Sequence, residues 1–205
     1  MNSPARKLRR PEQPPLTLHD RAMDNLRYIR ETMERSASFT HVSGIGGVLM
    51  GSIALTASAL AWGVEDRLVW LEIWMVAAFA SLAVAVVMMR RKSRAEGMAM
   101  LTGAGRKFTW NVIPPLAAGA VLTLVLARAG AFEMLPGTWL LLYGTSVVTG
   151  GSYSVRPIPL MGAGFMLAGV LALLAPPSLG NLFMAVGFGG LHIAFGIVIW
   201  RKHGG

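Results

Sequence analysis

The chain has 205 residues, of which 54% are hydrophobic and only 14% are charged. Ordinary soluble domains carry about 25% charged residues, so a soluble fold with this composition would lack polar cover. The 24 glycines point the same way, because transmembrane helices contain more glycine than soluble helices do. These figures argue against a soluble enzyme. The absence of cysteine excludes disulfides, thiolate metal sites and cysteine nucleophiles.

The first 40 residues are polar and divide into two parts. Residues 1–15 combine four prolines and four basic residues with few apolar side chains, which predicts a disordered basic tail. Over 16–40 the apolar residues recur every three or four positions, as in an amphipathic helix, here on the cytoplasmic side. Such a helix either stays on the protein surface or lies against lipid or a protein partner, with four candidate contact residues: Arg21, Arg27, Arg30 and Arg35.

Six apolar stretches follow, each about as long as a helix must be to cross a hydrocarbon core of about 30 Å. We therefore predict an all-α membrane protein whose transmembrane domain, 44–200, has six helices in three hairpins and is followed by a cytoplasmic C-terminus, 201–205. The predicted spans are 44–64, 68–89, 108–129, 137–155, 157–175 and 179–200.

Two of these spans have unusual sequences. Pro114 and Pro115 fall in the first turns of the third span and predict a kink or a late helical start. The fourth span is rich in Thr, Ser and Gly, which predicts a helix that is short, irregular or buried inside the bundle.

The basic residues are distributed unequally between the two predicted sides of the membrane. Arg67 and Arg128 lie on one side, and the other 17 of the 19 Lys and Arg residues lie on the side that carries both termini. The positive-inside rule places that side in the cytoplasm of a multi-pass inner-membrane protein, so the net charge needs no nucleic acid to explain it. The basic residues at the inner helix ends are candidates for binding lipid headgroups: Arg90, Arg91, Lys92, Arg94 and Arg156.

Tryptophan positions agree with this topology. Trp62, Trp70, Trp74 and Trp139 fall at outer helix ends, where an amphipathic indole ring favours the headgroup level. We predict that these rings anchor the helices at the interface and do not stack on a cofactor.

Glycine and proline recur regularly in the last hairpin. Gly162 and Gly169 are seven residues apart, Pro176 stands at the turn, and Gly189 and Gly196 are again seven apart. Seven residues are about two turns, so each glycine pair lies on one helix face and allows another backbone to approach.

This hairpin resembles those of the small six-helix HdeD-type acid-resistance membrane proteins, clearly over 157–200, loosely over the fourth span and poorly over the first hairpin. The resemblance implies a small multi-spanning protein and carries over no catalytic residue.

Few polar groups fall inside the predicted spans. His192 lies in the sixth span and is either a ligand or proton carrier, or a histidine hydrogen-bonded within the bundle. Glu72 and Arg128 lie near outer helix ends, and we predict that they form an ion pair, with Glu133 as an alternative acceptor. No other histidine falls within a span, and acidic residues are scarce, so we expect no metal site, no cofactor and no enzymatic activity.

The leading interpretation is a small inner-membrane protein that acts through interactions, in an accessory, stress-response or complex-assembly role. Its basic cytoplasmic face would bind membrane lipids or a protein partner, and the protein would work as a homo-oligomer or as a subunit of a larger complex. Two alternatives remain open. One is a small-solute transporter or channel lined by the polar fourth span, and the other is a cofactor-binding subunit of a membrane complex.

Overall fold

The structure, a computed structural model, describes residues 23–29, 42–95 and 103–203. These ranges are helical apart from short connections and contain no β-strand, as predicted. Residues 23–29 are helical with exposed side chains and belong to a unit separate from the helices that follow. The tail and most of the predicted amphipathic helix lie outside the described residues, so that helix stays a prediction, and three of its arginines cannot be placed: Arg21, Arg30 and Arg35.

The helices follow the predicted order along the chain. They are α1 (Gly44–Leu60), α2 (Arg67–Ala95), α3 (Gly103–Arg128), α4 (Leu135–Gly151) and α5 (Pro157–Leu174). A continuous helical segment, 177–203, completes the fold and is called the C-terminal helix below. It contains a 3₁₀ turn, then α6 (Gly180–Met184), a π-helical segment (Ala185–Leu191) and α7 (His192–His203).

Four of these helices are long and apolar enough to cross a membrane, namely α2, α3, α5 and the C-terminal helix. The remaining two, α1 and α4, have 17 residues each. Most apolar side chains of α2 and α3 face outward, and Val76, Phe79 and Leu124 are 70%, 70% and 62% exposed. Apolar surface on this scale suits contact with lipid and would be unusual on a soluble monomer.

The helix starts follow from local chemistry. The Ser43 hydroxyl accepts a hydrogen bond from Gly46 N at 3.1 Å and begins α1, and the Asp66 carboxylate accepts one from Leu68 N at 2.8 Å and begins α2. Gly130 has a φ of 73° in the turn after α3, a left-handed conformation that glycine adopts without strain.

Two helices, α2 and α3, extend furthest beyond their predicted bounds. The second continues through the cluster of basic residues to Ala95, because long cationic side chains can reach water from a helix end. Of the two alternatives predicted for the double proline, a late start is wrong, since α3 begins at Gly103 and continues through Pro114 and Pro115, and a kink stays a prediction. A neighbouring helix supplies the hydrogen bond that the prolines remove, as described below.

The helices pack in a defined order. Helix α1 lies between α2 and the C-terminal helix, and α4 lies between α3 and α5. The C-terminal helix also contacts α5 and α4, so it joins the two groups. Helices α2 and α3 are therefore peripheral in the described bundle, which agrees with their exposed apolar surface.

Glycine pairs allow the closest of these contacts. A Cβ atom placed on Gly162 of α5 would lie 2.8 Å from Gly144 O and 2.7 Å from Val148 N of α4. Two turns away, a Cβ atom on Gly169 would lie 2.9 Å from Gly137 O. Backbone therefore meets backbone along this antiparallel pair, which is the packing that small residues permit between membrane helices.

A second interface is built in the same way. Gly44 and Gly51 of α1 face Gly196 and Gly189 of the C-terminal helix. A Cβ atom on Gly196 would lie 2.9 Å from Gly44 O, and one on Gly51 would lie 2.7 Å from Gly189 O. Both glycine pairs of the last hairpin thus allow a neighbouring helix to pack closely. The pair on α5 contacts α4, the pair on the C-terminal helix contacts α1, and the two pairs do not contact each other.

Substituting Gly162 with alanine tests this packing. The new methyl group would meet backbone atoms that cannot move independently, so we expect Gly162→Ala to lower the free energy of unfolding by about 1–3 kcal/mol. Gly119→Ala is the matched control, since its Cβ would lie 3.7 Å from the nearest side-chain atom and alanine favours a helix. Unfolding in mild detergent measures both variants, and equal stabilities would contradict the packing argument.

Candidate functional site

His192 lies at the centre of the described helices and is only 4% exposed. Its ring Nδ1 is 2.8 Å from Phe188 O, a carbonyl that only accepts, so Nδ1 carries the proton. In the neutral ring Nε2 then accepts, and the Tyr143 hydroxyl of α4 donates to it at 2.7 Å. Both ring nitrogens therefore have hydrogen-bond partners within the protein. This arrangement agrees with the second alternative given for His192, a histidine hydrogen-bonded within the bundle.

Aromatic rings surround this hydrogen bond. The Tyr143 ring packs edge-on against Phe165 and Phe188, with centroid separations of 4.8 and 5.1 Å. The imidazole packs against the same two rings at 5.1 and 6.3 Å. The pair is thus enclosed by three helices in an apolar shell, where a hydrogen bond is strong and an unsatisfied partner is costly.

The backbone next to His192 is irregular. The chain forms a π-helix over Ala185–Leu191, and the backbone N–H of His192 donates to Gly189 O. Segments of this kind are rare and are often found at functional sites. Gly187, Gly189 and Gly190 lie within the π-helix, so few side chains resist the wider turn.

A second polar cluster lies nearer the helix ends that are predicted to be outer. The Asn181 side chain donates to Ser58 O of α1 at 2.8 Å and accepts from the Trp74 indole of α2 at 3.3 Å. One asparagine thus connects three helices. Trp74 is 4% exposed, and Trp70 stacks on Trp139 with a centroid separation of 5.7 Å. Burial of Trp74 within the protein argues against interfacial anchoring by that ring, whereas Trp70 and Trp139 are half-buried and their anchoring role stays a prediction.

A cavity of about 550 Å³ opens beside this cluster. The loop after α1, the connection before α4 and the first residues of the C-terminal helix all contribute to its wall. Its charged side chains are Arg67 and Glu133, and its aromatic ones are Trp70 and Phe132. The cavity is open to the surface over much of its extent.

The polar face of α4 is directed into the bundle. Gly144, Ser146 and Gly150 are buried, and Thr149 is half-buried. Ser146 Oγ donates to Val112 O at 2.9 Å, and Thr149 Oγ1 lies 2.9 Å from Asn111 O. Both carbonyls belong to α3 at its double proline.

Proline explains why α3 needs these donors. Pro115 has no N–H, so Asn111 O, four residues earlier, loses its usual helical partner. The single proton of the Thr149 hydroxyl is within hydrogen-bond distance of Asn111 O of α3 and, equally at 2.9 Å, of Thr145 O on its own helix, so it can serve as a substitute donor. Unsatisfied carbonyls are costly in lipid, so Thr149 of α4 and Pro115 of α3 are complementary.

The predicted ion pair involves two exposed residues, Glu72 of α2 and Arg128 of α3, on helices that share no extended interface. A different contact joins α2 to the turn after α3, since Arg67 donates to Gly130 O at 3.0 Å. The alternative acceptor, Glu133, is also exposed. The ion pair therefore stays a prediction.

The basic candidates differ in exposure. The arginines among them that are described are exposed: Arg27, Arg90, Arg91, Arg94 and Arg156. Lys92 is different, since it is 7% exposed and its ammonium group donates to Val42 O at 3.3 Å. It is therefore a residue of the helix interface in this structure and a poor candidate for contact with lipid.

Sequence reasoning missed Tyr143, Asn181 and Trp74 as partners in hydrogen bonds between helices. Asn181 carried a usable signal, because an asparagine in an apolar stretch requires partners. Tyr143 and Trp74 carried none, because their rings suit both a lipid interface and a buried contact.

Comparisons of the chain with protein-family models, with curated protein sequences and with solved structures found no match. The resemblance to HdeD-type proteins therefore stays a prediction that rests on the spacing of glycine and proline.

A double-mutant cycle tests the complementarity of α3 and α4. Thr149→Val removes the hydroxyl at nearly constant shape, and we expect it to cost roughly 0.6–1.7 kcal/mol of unfolding free energy. In a Pro115→Ala background the restored N–H can bond Asn111 O, so the same change should cost clearly less. Unfolding in mild detergent provides all four values.

Thr145→Val is the matched control, because the Thr145 hydroxyl bonds only Leu141 O of its own helix, at 2.9 Å. Its cost should be the same with or without Pro115. An equal cost of Thr149→Val in both backgrounds would contradict the proposed substitution of one donor for another.

Proposed function

We propose that the chain is a six-span inner-membrane protein with both termini in the cytoplasm, and that it acts by binding in an accessory or assembly role. Its basic cytoplasmic face binds anionic lipid headgroups, and the predicted helix over 16–40 provides a surface for a protein partner. The observation that carries the proposal is the division of polar groups. Those inside the bundle have hydrogen-bond partners within the protein, whereas the described arginines at the inner helix ends are exposed.

Two elements supply the exposed charge. Arg90, Arg91 and Arg94 extend from the last turns of α2, and Arg156 directly precedes α5. Lys107 of α3 is also exposed, and its ammonium nitrogen lies 5.7 Å from the centre of the Tyr153 ring. Each basic residue close to an anionic membrane surface contributes roughly 1 kcal/mol of attraction, so a cluster of this size favours anionic lipid.

Lipid dependence tests the proposal. In nanodiscs, replacing part of the phosphatidylcholine with phosphatidylglycerol should raise the thermal unfolding midpoint of the wild-type protein. The triple variant Arg90→Gln/Arg91→Gln/Arg94→Gln should lose most of that gain, because it removes roughly 3 kcal/mol of attraction. High salt should reduce the wild-type gain for the same reason.

Arg128→Gln is the control, since Arg128 is exposed at the predicted outer end of α3. It should keep most of the gain. If phosphatidylglycerol raises the unfolding midpoint of the triple variant as much as that of the wild type, the lipid-binding proposal is contradicted.

The channel alternative requires water along the polar face of α4. The chain has no cysteine, so single-cysteine variants can be labelled without background. Thiols react with maleimide as thiolates, which need water. Because Ser146 and Thr149 bond α3, we expect Ser146→Cys and Thr149→Cys to be protected from a membrane-impermeant maleimide.

Two exposed serines provide the controls and test the topology. Ser178→Cys should react from outside intact cells, and Ser152→Cys should react only in inside-out vesicles, since the predicted fifth span separates them. Labelling of Ser146→Cys as fast as Ser152→Cys would favour a channel. Labelling of both control positions from one side would contradict the six-span topology.

The cofactor alternative centres on His192. Its two ring nitrogens bond Tyr143 and Phe188 O, so coordination of a metal or haem would first require one of these bonds to break. This cost favours the binding role over a cofactor role.

A further inference from the structure

The cavity at the outer helix ends is the feature that the proposed function leaves unused. It has a volume of about 550 Å³ and is lined by three connections that are far apart in sequence. All three lie on the predicted outer side, opposite the basic cytoplasmic face. The cavity is therefore a candidate ligand site with its own chemistry.

Two opposite charges line this cavity. Arg67 donates one N–H to Gly130 O. A guanidinium has five N–H donors, so others remain for a ligand anion. Glu133 is exposed, and in the part of the chain that is described no hydrogen bond or ion pair joins it to another residue. The two charges thus share a cavity without neutralising each other.

The rest of the wall is largely apolar. Trp70 is held in place by stacking on Trp139, and Phe132, Pro136 and Pro177 complete the apolar part. Asn181 lies at the wall with its amide already bonded to Ser58 and Trp74, so it shapes the cavity and its polar groups are occupied. Rigid apolar walls with a few placed charges are typical of small-molecule sites.

We propose that this cavity binds a zwitterion, a molecule with an anionic group and an ammonium group a few bonds apart. Arg67 binds the anion, Glu133 binds the ammonium, and the Trp70 ring contacts the chain between them. Two sources share this chemistry. One is the headgroup of an aminophospholipid in the outer leaflet, and the other is a soluble phosphoethanolamine ester. Binding to the cavity is independent of the lipid binding proposed for the cytoplasmic face.

Titration of the purified protein with glycerophosphoethanolamine is the first test, read by tryptophan fluorescence because Trp70 lines the cavity. We expect saturable binding to the wild type. Glu133→Gln should bind about tenfold more weakly or worse, since it loses a charge-assisted contact. Glu133 bonds no described residue, so this variant should fold as the wild type does.

Arg67→Gln should weaken binding to a similar extent, and Arg67→Lys, which keeps a cation, should recover part of it. Glu65→Gln and Arg128→Gln are the charge-matched controls, because both residues are exposed near the same helix ends and neither lines the cavity. Both should bind within about twofold of the wild type.

A nanodisc experiment distinguishes the two sources. If the headgroup is the ligand, phosphatidylethanolamine should compete with glycerophosphoethanolamine, whereas phosphatidylglycerol, which lacks the ammonium, should not. If the soluble ester is the ligand, binding should be equal in both lipids. Either result supports a zwitterion site. Absence of saturable binding in detergent and in nanodiscs, or equal affinity of Glu133→Gln and wild type, would overturn the proposal.

Discussion

Direct backbone contact at glycine pairs is the constraint on which the rest of the structure depends. Membrane helices gain little from burying apolar side chains against one another, because lipid is equally apolar, so association relies on close packing and hydrogen bonds. Gly144 with Gly162, and Gly51 with Gly189, allow this approach in two separate interfaces. The C-terminal helix joins the two, and so brings α1, α4 and α5 within reach of one another.

That closeness determines what the internal polar groups do. Tyr143 reaches His192 only because α4 and the C-terminal helix are near neighbours, and Thr149 reaches Asn111 O only because α4 packs on α3. In each case a donor on one helix satisfies an acceptor on another. The polar groups inside the bundle therefore hold neighbouring helices in register. The same Thr and Ser residues could equally have lined a pore, and the sequence alone does not distinguish the two arrangements.

The charged side chains that other molecules can reach are consequently found at the two ends of the helices. The predicted inner end has exposed arginines on α2 and before α5, which suit a surface of anionic headgroups. The predicted outer end has a cavity in which Arg67 and Glu133 remain separate. The two ends therefore present different charges, and hydrogen bonds between helices lie in the bundle between them.

The sequence by itself determined the class of the protein, the order of its helices and most of their bounds, because apolar length and proline position are local properties. It also identified the two glycine pairs of the last hairpin, but not their partners, since any small residues on any helix could have met them. Tertiary structure alone decided that Trp74 is buried, that Lys92 bonds Val42 O and that Thr149 compensates for Pro115. Each of these depends on which helices are neighbours, and spacing along one chain carries no information about the atoms of another helix.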